Sequence, residues 1–234
     1  MPTHWFLCFL IRLVLAGRGG ERGESQTAYE PLKPQRVRFQ SRNFHNILHW
    51  QPGRTLADNS SIYFVQYKMY GERQWKNKEG CWGTPALFCD LTNETSALEE
   101  PYYGRVRSAR AGSYSGWSLT PRFTPVWETT LDPPVVTVTQ ANASLLVGLH
   151  APNLPYRDQN RKNISMEDYY EFVYRVFIIN NSLKKEHKVY EGTQRAVQIQ
   201  ALKPHSSYCI VAEIYQPMLD RRSQRSKESC MKIL

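Results

Sequence analysis

The sequence has no apolar stretch long enough to anchor it in a membrane. Apolar residues make up 41% of the 234 positions, but every uncharged apolar run is far shorter than the ~20 residues of a spanning helix. Nothing that resembles a cytoplasmic tail precedes the last residue, Leu234. We therefore expect a protein that is released whole, and that can bind a partner but cannot carry a signal inward.

Catalytic motifs are also missing. There is no G-x-S-x-G elbow, Walker loop, H-E-x-x-H or glycine-rich dinucleotide turn. The carboxylate pairs at 99–100 and 167–168 lie beside turns without a partner pattern for acid–base chemistry. These absences favour a binding module over an enzyme, and we expect no cofactor.

The formal net charge is +9, yet no continuous basic helix accounts for it. Lys and Arg are scattered, with denser spots near 105–110 and 221–227. Such a charge suits an acidic partner or a heparan-like surface, although solvated strand faces would explain it equally well. Nucleic acid is not an expected partner, because no RNA-binding or helix-turn-helix pattern is present.

Cysteine is scarce, with five residues. Cys8 lies in the N-terminal apolar segment, which leaves Cys81, Cys89, Cys209 and Cys230. Their spacings do not match the closely spaced pairs of a zinc site, so no metal site is expected. Four cysteines allow three connectivities; we favour Cys81 with Cys89 and Cys209 with Cys230, because each bond then stays within one half of the chain.

The first residues are typical of a secretion signal. An apolar segment at 5–16 precedes small residues at 16–20, although Arg12 interrupts it and the positive n-region is weak. We predict a signal peptide over residues 1–20; the alternative is a buried N-terminal helix or strand. Five Asn-x-Ser/Thr sequons support a secreted glycoprotein with disulfide bonds. The sequons lie at Asn59, Asn93, Asn142, Asn163 and Asn180.

Apolar alternation with a period of two predicts an all-β protein. Short strands are expected near 37–39, 47–50, 62–70, 102–109 and 115–124, and again near 135–139, 145–149, 169–179, 196–201, 208–215 and 226–233. Prolines at 125, 133 and 134 separate the two sets and stiffen the connection. The sequence predicts two tandem β-sandwiches joined by an elbow, over residues 33–128 and 134–232.

Three local motifs specify the sandwiches as fibronectin type III-like. Residues 48–52 fit the L-x-W-x-x-P pattern of the second strand, and residues 63–67 fit the Y-x-V-x-Y pattern of the third. Residues 202–208 resemble a tyrosine corner, in which the Tyr208 hydroxyl would bond to backbone a few residues upstream. Residues 113–118 resemble a W-S-x-W-S box with Tyr114 at its first aromatic position. We expect Trp117 to stack with Arg105 and Arg107, a structural role.

The chain resembles the extracellular part of a class II cytokine receptor from about residue 33 to its end. The resemblance is most specific at residues 34–37, 42–48, 102–107 and 215–222, which are similar to a secreted member of that family. It implies a clamp in which loops at the elbow grip a helical cytokine of the interleukin-10 family, interleukin-22. It further implies a decoy antagonist that acts as a monomer. The alternatives are a tissue-factor-like cofactor, an adhesion module, or a carrier that presents the cytokine.

Exposed aromatic and arginine side chains on loops are the expected binding residues. Tyr70 is the foremost of them, and its alternative role is packing under the Cys81 loop. The resemblance places contacts at 70–73 and 112–114 in the first domain, and at 155–162 and 218–221 in the second. The predicted contacts are Tyr70, Gly71, Glu72, Arg73, Gly112, Ser113, Tyr114, Tyr156, Arg157, Met218, Leu219, Asp220 and Arg221.

Overall fold

The computed structural model describes residues 28–54, 60–142 and 144–233. The predicted signal peptide at 1–20 and the sequon at Asn59 lie outside these residues. The regular secondary structure within them is almost entirely β-strand, arranged as two fibronectin type III-like sandwiches, as predicted. No helix in the described part of the chain has the length and apolar character needed to cross a membrane.

The first sandwich pairs a three-stranded sheet with a five-stranded one. The small sheet has the order β1-β2-β5, and in the large sheet β4, β3 and β6 lie side by side, with β7 and β8 both paired to β6. The strands are β1 Gln35–Arg42, β2 His45–Gln51, β3 Ile62–Met69, β4 Lys76–Thr84, β5 Phe88–Asp90, β6 Tyr102–Arg110, β7 Ser113–Tyr114 and β8 Ser118–Leu119.

Alternate residues of these strands form the first core, as the period of two predicts. Leu48, Val65 and Val106 are fully buried between the sheets, and Trp50 packs on Tyr63 with ring centroids 5.4 Å apart. The Cys81 to Cys89 disulfide bond joins β4 to β5 and so ties one sheet to the other. It is one of the two bonds that the sequence favours.

The second sandwich repeats this plan. One sheet has the order β15-β10-β9 and the other contains β14, β13 and β16 with β17 and β18; β11 and β12 form a separate hairpin. The strands are β9 Val135–Ala141, β10 Ser144–His150, β11 Asn153–Arg157, β12 Asn163–Ser165, β13 Val173–Asn180, β14 Lys185–Gly192, β15 Ala196–Ile199, β16 Ser207–Gln216, β17 Arg221–Arg222 and β18 Ser229–Lys232.

One hydrogen bond and one disulfide bond in this sandwich agree with the predictions made from the sequence. The Lys203 amide donates to the Tyr208 hydroxyl oxygen at 3.2 Å, which is the bond expected of a tyrosine corner. The Cys209 to Cys230 disulfide bond joins directly paired residues of β16 and β18.

The strand predictions are wrong for two polar edge strands and for two strands that are shorter than predicted. β4 and β14 were not predicted, because both are edge strands whose side chains are mostly exposed and do not alternate. Only their hydrogen-bonded neighbours, β3 and β13, identify them. The predicted strand at 115–124 is reduced to Ser118–Leu119 before Pro121. The predicted strand at 169–179 begins four residues late, at Val173.

Arginines and aromatic rings alternate across the outer face of β3 and β6. The Arg105 guanidinium lies 4.2 Å from the Trp75 ring centroid and 4.4 Å from that of Trp117. Arg107 lies 4.9 Å from Trp117 and 4.8 Å from Tyr114. The predicted stacking of Trp117 with both arginines is confirmed, and it covers an otherwise open sheet face.

The elbow is a shared core rather than a free linker. A short helix, α1 Pro125–Glu128, leads out of the first sandwich. Phe44, in the turn between β1 and β2, is fully buried against the second sandwich, with its ring 5.5 Å from that of Tyr170. Leu98 and Leu131 join the same cluster. Since this burial removes apolar surface of both domains from water, it couples their orientation.

Candidate functional site

Tyr70 stands at the tip of a tight turn at the elbow end of the first sandwich. The Glu72 amide donates to the Met69 carbonyl at 3.2 Å, and Gly71 has a φ of 86°, the left-handed value that a type II turn requires at its third position. The Tyr70 amide donates to the Pro101 carbonyl at 2.7 Å. The backbone is therefore fixed while the side chain stays 62% exposed, as in a preorganised binding anchor.

The Glu72 side chain stabilises this turn through hydrogen bonds. Its carboxylate accepts the Met69 amide at 3.0 Å and the Lys76 ammonium at 2.5 Å. The hydrogen bond from Lys76, and secondarily that from the Met69 backbone, keeps the pKa of Glu72 below its ordinary value. The predicted contact at Glu72 is thus engaged in its own turn, whereas the neighbouring Arg73 is exposed.

The second domain presents Met218 at its elbow end. Residues Pro217–Leu219 form a single 3-10 turn after β16, closed by Asp220 in the left-handed region with a φ of 42°. The Tyr215 hydroxyl donates to the Asp220 carboxylate at 2.9 Å. Met218 is 87% exposed, the most exposed large apolar side chain of the described residues. Exposed Met is adaptable and suits a binding surface.

Arg221 binds the domain junction instead of projecting outward. Its guanidinium donates to the main-chain carbonyls of Thr129 at 2.7 Å and of Trp127 and Val126 at 3.2 and 3.3 Å. It also donates to the Gln216 side chain at 2.6 Å. Arg221 therefore caps the carbonyl end of α1 and stabilises the elbow. Its role as a cytokine contact stays a prediction.

Tyr156 has a similar inward role. Its hydroxyl donates to the Thr92 carbonyl of the first domain at 3.0 Å, and burial raises its pKa above the ordinary value. The predicted contact at Tyr156 is thus a second interdomain tie. Beyond it, Arg157 is exposed beside a hairpin tip that Asp158 closes by accepting the Lys162 amide at 2.7 Å.

A groove of about 760 Å³ lies next to Met218 in the second domain. Tyr169 lines it and is 48% exposed, and Glu167 forms an ion pair there with Arg195. Sequence reasoning missed this surface because it assigned Tyr169 to a strand. The available signal was Ser165 before two acidic residues, a helix-capping pattern; the Ser165 hydroxyl does accept the Glu167 amide at 3.4 Å.

The predicted contacts at Gly112, Ser113 and Tyr114 are not brought to the elbow. β3 and β6 run antiparallel, with Met69 opposite Tyr102 and Ile62 opposite Ala109. The turn that follows β6 therefore lies at the other end of the sheet from Tyr70, about 25 Å away at the rise of a strand. Tyr114 packs there on Arg107 and is 37% exposed.

The described sequons lie on the surface. The Asn side chains at 93, 142 and 163 are exposed. Asn180 is partly exposed at the end of β13, where its side-chain oxygen accepts the Ser182 amide at 3.0 Å. The one group of described residues with metal-ligand proximity is Cys209, Glu228 and Cys230. Its two sulfurs are bonded to each other, so no thiolate is available to a metal.

Comparison with known sequences identifies relatives of the whole chain. The tissue factor family model matches residues 4–117, and the model for the fibronectin type III domain of the interferon-alpha/beta receptor matches residues 129–234. Interleukin-22 receptor subunit alpha-2 is 63% identical in human and 66% identical in rat; each alignment covers 100% of this chain and at least 99% of the relative. Human interleukin-22 receptor subunit alpha-1 is 34% identical, over 79% of this chain and 32% of the relative.

Among solved structures, the chicken interferon gamma receptor alpha chain has the same fold. The TM-score is 0.68 at 20% sequence identity, with 86% of this chain and 97% of that chain covered. The two sandwiches and their sequential arrangement therefore recur in a receptor of low sequence similarity.

Proposed function

The chain belongs to the class II cytokine receptor family, among the relatives of interleukin-22 receptor subunit alpha-2, and from this membership we propose that it binds interleukin-22. The observation that carries the proposal is the pair of exposed side chains at the elbow, Tyr70 and Met218. Both project from short turns whose backbones are fixed by hydrogen bonds. Tyr is enriched among the residues that dominate binding energy, and Met is enriched at adaptable binding surfaces.

The junction favours a single binding geometry. Phe44, Arg221 and Tyr156 each join the first domain to the second within the elbow. Loops at 70–73 and 217–220 are therefore presented together, without the entropy loss that a flexible linker would impose on binding. The exposed residues Arg73, Tyr169 and Asp220 extend the proposed surface around the two anchors.

We further propose that binding is antagonistic. Interleukin-22 receptor subunit alpha-1 is a related sequence, and two related receptors that use corresponding elbow loops would compete for one face of the cytokine. Occupation of that face by this chain would prevent a productive receptor complex, so the chain would act as a decoy. The proposal includes secretion as a glycosylated monomer with domains at 33–128 and 134–232, and removal of a signal peptide.

The direct test is a binding titration of the purified secreted protein by surface plasmon resonance. Interleukin-22 is the expected ligand, and other helical cytokines of the interleukin-10 family serve as the comparison panel. Saturable binding to interleukin-22 with one-to-one stoichiometry would support the proposal. Failure to bind interleukin-22 at micromolar concentration would contradict the proposed function.

A cell assay separates a decoy from a carrier. Cells with the full membrane receptor are stimulated with interleukin-22 while the purified protein is added. A decoy lowers signalling in proportion to dose, and half-inhibition moves to higher protein concentration as cytokine is increased. A carrier that presents the cytokine would instead maintain or raise signalling, and that result would replace antagonism while leaving binding intact.

A further inference from the structure

The outward face of the small sheet in the first domain carries a row of basic side chains. Arg36, Arg38 and Arg42 point outward from β1 at alternate positions around Gln40, and all four are exposed. In the pairing with β2, Arg38 lies opposite His49 and Arg42 lies opposite His45. Two adjacent strands therefore place guanidinium groups opposite imidazole rings on one face of the sheet.

Acidic groups do not neutralise the half of this row that lies away from the elbow. Arg42 forms an ion pair with Asp132 at 2.5 Å. Among the described residues, neither Arg36 nor Arg38 has a carboxylate within ion-pair distance. Residues 28–54 contain five Lys or Arg and a single acidic residue, Glu30, which pairs with Lys33 at 3.3 Å.

The remaining carboxylates at the edge of this face have other partners. Asp90 on β5 accepts the Thr92 amide at 2.9 Å, and Glu128 accepts the Thr124 amide at 2.7 Å. These hydrogen bonds leave the negative charges of Asp90 and Glu128 in place, but among the described residues neither carboxylate lies within ion-pair distance of Arg36 or Arg38. The half of the row that carries Arg36 and Arg38 is therefore an uncompensated positive surface. Such a surface attracts polyanions over about a Debye length, ~8 Å at physiological salt.

The face is also shaped to receive an extended chain. A depression of about 220 Å³ lies between Arg36, Arg38 and His49. A second depression of about 520 Å³ continues it towards Arg42 and His45, and the two share Gln40 and His49 as lining residues. Together they follow β1 for about 20 Å, the length of six strand residues.

We propose that this face of β1 and β2 binds a sulfated glycosaminoglycan. A sulfate group presents oxygens that the planar guanidinium can engage through two hydrogen bonds. Arg36 and Arg38, which have no acidic partner, match neighbouring anionic groups on a linear polymer, and the ion-paired Arg42 continues the row. The amides of Gln40 and Gln51 supply neutral donors for the hydroxyls between them.

The extracellular setting of cytokine receptors selects this class of polyanion. Anionic lipids are concentrated in the cytoplasmic leaflet of membranes, and nucleic-acid binding would require basic and aromatic residues arranged to stack bases. A sulfated polysaccharide requires only the exposed row of cations. Binding there would leave Tyr70 and Met218 free, because they project from loops at the elbow end instead of from the sheet face.

Immobilised heparin is the probe for the test. The double variant Arg36→Gln, Arg38→Gln removes two charges from the half of the row without acidic partners. The matched control is Lys184→Gln, Lys185→Gln in the second domain, which removes the same charge from two exposed residues where a turn leads into β14. Each variant replaces one residue with a positive φ, since Arg36 has a φ of 50° and Lys184 a φ of 49°.

The β1 variant should bind heparin at least tenfold more weakly at about 0.15 M salt, with a shallower salt dependence, and the Lys control should change affinity less than twofold. Both should retain their affinity for interleukin-22. Equal losses in the two variants would mean attraction to net charge alone and would overturn the proposal. So would undiminished binding to desulfated heparin, or binding to anionic phospholipid vesicles but not to heparin.

Discussion

Two hairpin turns of the first domain both have positive φ at their two central residues, but their sequences differ. Asn43 and Phe44 join β1 to β2 with φ values of 49° and 64°, and Ala111 and Gly112 join β6 to β7 with φ values of 47° and 80°. Positive φ at both central residues is the pattern of a type I′ turn, which favours glycine at the second position. The turn away from the elbow has that glycine, whereas the elbow turn has a phenylalanine.

The difference lies in what each turn touches. Gly112 has no atom within 4 Å of where a β-carbon would lie, so only its own backbone sets its identity. Phe44 is fully buried against the second domain, and its amide donates to the Thr129 hydroxyl oxygen at 2.9 Å. Burial of a Phe side chain contributes about 1.5–3 kcal/mol, which outweighs roughly 1 kcal/mol of left-handed strain. Tertiary contact overrides local turn preference at the elbow.

Substitutions at Phe44 and Gly112 test this comparison, and the one at Phe44 should have the largest effect. Phe44→Gly should improve the local turn by about 1 kcal/mol but remove a core side chain worth roughly 3–5 kcal/mol. The net loss in free energy of unfolding should be about 3 kcal/mol, measured by urea denaturation. Gly112→Ala should cost about 1 kcal/mol from backbone strain alone. A Phe44→Gly protein at least as stable as the parent would show that turn chemistry governs both ends.

Arg221→Ala tests whether the elbow also depends on polar contacts. Loss of the guanidinium leaves the carbonyls of Trp127 and Thr129 without their donor, while the Val126 carbonyl keeps the Tyr170 hydroxyl. We expect a destabilisation of about 2.5 kcal/mol. Small-angle scattering should show a wider spread of domain orientations. Arg222→Ala is the matched control, because the neighbouring Arg222 is exposed, and it should change stability by less than about 0.5 kcal/mol. Equal effects of the two substitutions would show that Arg221 does not stabilise the junction.

Tyr70→Ala and Tyr114→Ala compare the two ends in binding. Tyr70→Ala should weaken interleukin-22 affinity by about 2 kcal/mol, roughly thirtyfold, with little change in thermal stability. Tyr114→Ala should do the reverse: it removes a ring from Arg107 and costs about 1 kcal/mol of stability, but should leave affinity within threefold. The readouts are plasmon resonance and thermal melting. If the Tyr70 variant kept native affinity, Tyr70 would not be a binding residue, and its alternative role in packing would be favoured.

The smallest expected effect concerns His49, midway along the sheet between the two ends. Burial, and then the charge of Arg38, hold its pKa below the ordinary value. The unfolded chain therefore binds the proton more readily than the folded one, so this group disfavours folding as pH falls through about 6.5. Arg38→Gln should raise the His49 pKa in a proton NMR titration. A lower pKa in that variant would contradict the assigned influence of Arg38.

Sequence reasoning succeeded where the determinants were local. The tyrosine corner at Tyr208, the stacking of Trp117 and the separation into two sandwiches depend on short motifs or on alternation within a strand. It also favoured the two disulfide bonds present in the structure, because each stays within one half of the chain. These features can be derived without knowing how the two domains meet.

The elbow could not be derived in this way. Phe44 meets Tyr170, Thr92 meets Tyr156, and Val126 meets Arg221, so each contact joins residues of different domains. Tyr156 and Arg221 were predicted as ligand contacts because the resemblance places contacts at 155–162 and 218–221, and the sequence alone does not show that both side chains also form hydrogen bonds across the junction. The position of Tyr114 away from the elbow could not be derived either, because the two ends of a sheet are distinguished only by strand order.

The burial of Phe44 has a consequence for the order in which the protein matures. The second sandwich closes part of its interior around a side chain that belongs to the first hairpin of the chain. Domains generally fold in order during synthesis, the N-terminal one first, so this hairpin can be in place as a template when β13 and β16 leave the ribosome. A second sandwich expressed alone would expose the apolar socket that Phe44 fills, and would be expected to aggregate or to recruit a chaperone.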